Sequence, residues 1–243
     1  MATFRSDRER RMLGDRVVSR KDAFVAVHPA VAEVHAGFAD AHGKLQAAIA
    51  TRDKETGDAQ KARDARDDEV AKSNAQYAWA YNELHRIMAP SWDAKVDEDL
   101  YAKTVARLFP LGPPATVGAT SQLVLDGMKT FVDRVAHEQG VQYPPAFLQA
   151  ARAGVAAVTA HIAKVNKEAD EASAATDAHQ AARDKWDTHH QALLEITTGF
   201  LRLKDDLGQL NVLFQDIPVS AAAGIGGSQD APAAAPPPAG VIP

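Results

Sequence analysis

The stretch ARAGVAAVTAHIAKVNKEADEASAATDAHQAARDKWDTHHQALLEITTGF, residues 151–200, decides the fold. It contains no proline, the residue that removes a helical donor and clashes with the preceding turn. Its seam recurs at alternating steps of three and four: Ala151, Val155, Val158, Ile162, Val165, Ala169, Ala172, Thr176, His179, Arg183, Trp186, His190, Leu193, Thr197 and Phe200. That is the helical period, and more narrowly the period of a coiled coil. Leu203, Leu207, Leu210 and Phe214 carry it on, so the spacing predicts one helix over about 146–214.

Working outward, a second proline-free interval runs from Ala30 to Ala89. Its seam is Val31, Val34, Phe38, Ala41, Leu45 and Ala48, and it resumes as Val70, Tyr77, Tyr81, Leu84 and Met88 after an apparent one-residue change of phase near Glu69. This predicts a helix over about 30–89. The middle of each interval, Thr51 to Glu69 and Asn166 to Lys185, is alanine and charge without large apolar side chains. Such a middle is either the tip of a helical hairpin or a narrow alanine-lined contact between two helices that run through.

Register favours continuous helices. With Ala89 placed opposite Ala146, the two small-residue middles coincide, Ile49 faces Trp186, Leu45 faces His190, and Phe38 falls within a turn of Phe200. The expected fold is therefore all-α: an elongated antiparallel coiled-coil-like bundle of two long helices with a two-helix cap. A compact bundle of four to six helices, with the long segments folded as hairpins, is the alternative.

The cap comes from the sequence between Pro90 and Pro145. Ser91 suits the N-cap of a helix over about 92–109, and Thr120 or Ser121 caps another over about 122–139, closed by Gly140. PLGPPATVGATS between them reads as a loop. Residues 1–28 form a basic N-terminal segment, 29–217 the helical bundle, and 218–243 an Ala/Pro/Gly-rich tail expected to be disordered.

Composition narrows the chemistry. The 243 residues include no cysteine, which removes disulfides, thiolate nucleophiles and Cys-ligated metal centres. No P-loop, nucleophile elbow or H-E-x-x-H motif occurs, and the one dense glycine run, Gly224 to Gly227, opens no helix that could hold phosphate. An enzyme is not expected, nor a cofactor. The N-terminus lacks the apolar centre of a signal peptide, and a cytoplasmic location is the expectation.

Nine histidines remain. His28, His35 and His42 recur every seven residues beside the Val31 and Val34 seam, with imidazoles about 10 Å apart, too far to share one ion. No Glu-x-x-His of the di-iron bundle type occurs, which leaves Asp187 and His190, three apart, as weak metal candidates. His179 and His190 hold seam positions, where charging at mildly acid pH opposes burial, and so are candidates for a pH-sensitive seam.

The charge asymmetry lies at the N-terminus, where seven basic residues within 1–21 outnumber three acidic ones. Arg8, Arg10, Arg11 and Arg16 are the candidates for contact with an anionic membrane. Interleaved acids and the lack of an aromatic platform argue against nucleic acid. The function expected is that of a non-enzymatic helical scaffold, spacer or assembly subunit, acting through protein partners or self-association. A peripheral membrane module using residues 1–21 is the alternative, and a metal-binding helical bundle the third reading.

Overall fold

A computed structural model describes residues 6–89 and 95–214. These residues form helices α1 (Asp7–Ser19), α2 (Lys21–Val27), α3 (Pro29–Met88), α4 (Glu98–Leu108), α5 (Pro114–Val117), α6 (Ser121–Val135), α7 (Pro145–Leu203) and α8 (Gly208–Phe214). Among the described residues there is no strand, and the protein is an all-α bundle in which α3 and α7 pack closely. Each long segment is one helix, so the hairpin alternative is set aside. Ala59, Ala62 and Ala175 in the middles are buried rather than displayed on solvated tips.

The chain divides into two compact units. One comprises residues 1–43 and 186–243, the other residues 44–185. In the first, α1 opens on a reciprocal capping box: Ser6 Oγ accepts from Glu9 N and Glu9 Oε2 accepts from Ser6 N. The segment expected only as a basic extension is thus α1 and α2, with Leu13, Val17, Phe24 and Val27 buried.

Antiparallel pairing of α3 and α7 is fixed here by rings. His28 stacks on Phe200 at 3.9 Å, while Phe38 packs on Trp186 at 5.4 Å and His190 at 6.0 Å. The expected register, Trp186 opposite Ile49 and His190 opposite Leu45, is therefore displaced by about one heptad, since Trp186 meets His42 and His190 meets Phe38. A slip of seven residues returns the same helix face to its partner, so periodicity alone cannot resolve it.

The change of phase near Glu69 also disappears. Val31, Phe38, Leu45, Ala59, Ser73 and Ala80 are buried on one heptad frame, and His35, His42, Ile49, Tyr77 and Leu84 on its companion. Polar His35, His42 and Ser73 occupy seam positions that a search for apolar residues passes over. On α7, Ala175 takes the seam position assigned to Thr176, which is exposed.

α7 ends at Leu203 rather than continuing to 214. Asp205 adopts a left-handed backbone (φ 56°), and the Asp206 N–H returns to the Leu201 carbonyl. The helical stripe breaks there, leaving Leu203 84% exposed, and α8 resumes at Gly208.

In the second unit, α4 starts at Glu98, with the Asp97 side chain accepting from Leu100 N. The Ser91 cap lies outside the described residues, as does the 218–243 tail. Thr120 caps α6, which ends at Val135, before the expected stop at Gly140. The loop between them carries the short helix α5.

Tyr77, Leu84, Leu108, Phe109, Val124, Met128, Phe131 and Tyr143 form the core of this unit. The Tyr77 hydroxyl donates to the Gly112 carbonyl at 2.9 Å, and that of Tyr143 to the Ala80 carbonyl at 2.6 Å. Burial pushes the Tyr77 phenol up to about 12 and raises that of Tyr143 as well.

Phe131 is fully buried and touches Phe109, Tyr143 and Phe147. Phe131→Ala should lower the unfolding free energy by about 3–5 kcal/mol in a denaturant titration. Leu100→Ala, at a half-exposed position, should change it by less than about 0.5 kcal/mol; equal losses would contradict this core.

Candidate functional site

In the first unit, α1 lies across α3 and α7, and polar contacts join it to both beside its buried Leu13 and Val17. Arg10 is buried and donates through Nε and Nη2 to the two carboxylate oxygens of Asp187, at 3.1 and 2.8 Å. This is the bidentate fork that guanidinium and carboxylate favour. Two residues on α1 bind imidazoles of α3: His42 Nε2 donates to Asp15 Oδ1 at 2.8 Å, and His35 Nε2 donates to the Val17 carbonyl at 2.9 Å.

Gly14 makes this approach possible. A Cβ there would stand 2.1 Å from His42 Nδ1, so only hydrogen fits between α1 and the ring. From the other side, the Trp186 indole N–H donates to His42 Nδ1 at 3.2 Å. Trp186 is fully buried and stacks on His190 at 5.1 Å with 5° between the ring planes. Phe24 and Phe214 close the cluster, with Phe214 edge-on to both Phe24 and His190.

The candidates read from the sequence therefore separate. Asp187 and His190 both lie in this unit, but the carboxylate of Asp187 is engaged by Arg10 and the ring of His190 by Trp186. Arg10 is buried, while Arg8 and Arg11 are exposed and Arg16 is intermediate. His179 lies in the second unit, buried, where Arg52 Nη1 donates to its Nδ1 at 3.3 Å. His35 and His42, which the sequence places beside the seam, are inside it. Their spacing of seven, in step with Phe38 and Leu45, was the available signal.

The second unit also carries an open groove of about 500 Å³ lined by Thr51, Lys54, Glu55, Asp58, Glu168 and Glu171. Oxygens of Glu55, Glu168 and Glu171 lie within 4.8 Å of one another. Ammonium groups already engage two of them, Lys54 on Glu55 at 2.7 Å and Lys167 on Glu171 at 3.1 Å. The carboxylates raise both lysines above their ordinary range, chiefly through these hydrogen bonds.

The contacts of α1 give a local test. Asp187→Asn removes the counter-charge of a buried guanidinium whose partner is half in water, at a cost of about 1–3 kcal/mol. Amide hydrogen exchange in α1 should accelerate while that of α6 stays unchanged. Unaltered exchange in α1 would contradict this attachment.

Comparison with protein-family models, with curated proteins and with solved structures finds no match for this chain.

Proposed function

We propose that the protein is a helical scaffold or assembly subunit that works through protein contacts, using the N-terminal part of α7 as a contact face. The observation that carries this reading is an 18-residue stretch of α7 with mean hydropathy 1.2, of which only 17% is buried. Ala146, Ala150, Ala153, Ala156, Ala160 and Ala163 are all exposed at steps of three and four, which aligns them along one side of the helix. Trp79, 40% exposed, packs on Phe147 at 4.4 Å beside the first turns of α7.

Uncovered apolar helix surface of this extent is what interaction faces present. Small side chains let a second helix approach closely, because interaxial distance follows the size of the residues at the contact. Such a role needs no catalytic site, and the Arg10, His35 and His42 contacts described above hold α1 on α3 and α7.

The membrane reading has weaker support, since Arg10 is withdrawn into the pair with Asp187 and Arg8 and Arg11 remain as exposed cations on α1. Sedimentation velocity of the full chain over a concentration series tests the assembly reading. It predicts concentration-dependent association that Ala153→Glu with Ala160→Glu reverts to monomer at an unchanged thermal midpoint, together with no flotation on anionic vesicles. A chain that is monomeric throughout and floats with vesicles would overturn it.

A further inference from the structure

The buried ring of His42 receives a hydrogen bond on one nitrogen and gives one from the other. The Trp186 indole nitrogen is only a donor, so at 3.2 Å His42 Nδ1 must offer its lone pair. Nε2 then carries the proton and donates to Asp15 Oδ1. This assigns the neutral Nε2–H tautomer and makes His42 the joint between three helices: α1 through Asp15, α3 through its own backbone, and α7 through Trp186.

We propose that His42 is a proton-operated latch between α3 and α7. A second proton has one place to go, Nδ1, where it turns an acceptor into a donor facing the indole N–H. Two donors at that distance cannot bond, and because both rings are buried the loss of this bond is costly. The Asp15 bond responds in the opposite direction, because an imidazolium donating to a carboxylate makes a charge-assisted bond. Acid therefore frees Trp186 from α3 while tightening α1 onto it.

The ionisable groups around the ring fit this exchange. From α1 come Asp15 and Arg10, the latter bound to Asp187 of α7. From α7 comes His190, stacked on Trp186, and on α3 itself His35 donates to the Val17 carbonyl, a contact that survives further protonation of its ring. Asp40 and Lys44 flank His42 on α3 and are exposed. Gly14 keeps α1 against the ring in both states, since its hydrogen leaves the His42 edge free of steric contact.

The test uses Trp186 as the reporter in the full chain with Trp79→Phe and Trp92→Phe. Emission from Trp186 should change in one step as pH falls from about 8 to about 5.5, the range in which imidazoles gain a proton. His42→Gln should abolish that step, because a side-chain amide offers an acceptor to Trp186 and a donor to Asp15 without titrating. His190→Gln should retain it. A step that persists in His42→Gln, or that is lost only in His190→Gln, would overturn the proposal. Should His42→Gln fail to fold, nitrogen NMR of the histidines in the unaltered chain decides: the proposal requires the Nε2–H tautomer of His42 at pH 8, and a proton on Nδ1 there contradicts it.

Discussion

The seam between α3 and α7 is the constraint on which the rest of the structure depends. Helices of 60 and 59 residues do not persist on propensity alone, least of all with alanine and charge through their middles. Each must bury one stripe against the other, and in both units the smaller helices attach to that pair. In the first unit the stripe is built from rings, with Phe38, His42, Trp186 and His190 in one layer. In the second it passes through Ala59, Ala62 and Ala175 to the aromatic core around Tyr77 and Phe131.

Placing imidazoles in a seam has a physical consequence that leucine would not. A buried histidine brings polar ring nitrogens into the core, and these call for hydrogen-bond partners. His42 finds Asp15 and Trp186, His35 finds the Val17 carbonyl, and these needs attach α1 to the long pair. The basic segment at the N-terminus is thus held by specific acceptors and by the Arg10–Asp187 fork, rather than by general attraction to an acidic body. Gly14 is the steric counterpart of the same contact.

Much of the fold was legible in the residues. The proline-free intervals and their period mark α3 and α7 to within a residue or two at most ends, and Thr120 marks the start of α6. Three features were not legible, each for a physical reason. A heptad pattern repeats, so it cannot tell Trp186 opposite His42 from Trp186 opposite Ile49. Apolar scanning counts His35, His42 and Ser73 as outside the seam, although packing with paired nitrogens or small volume puts them in it. The end of α7 depends on the left-handed backbone at Asp205, which no glycine or proline announces. Within the candidate site, Asp187 and His190 stood out by spacing, but the partner that occupies Asp187 is Arg10, distant in sequence and joined to it only by the fold.

The register of the α3–α7 pair is directly measurable, because the sequence contains no cysteine. Cysteines introduced in pairs report which positions face one another when treated with a short bifunctional thiol reagent. The account predicts efficient intramolecular cross-linking for His28→Cys with Phe200→Cys, whose side chains stack at 3.9 Å, and little for His35→Cys with Phe200→Cys, one heptad further along. Cross-linking of the second pair in preference to the first would contradict it.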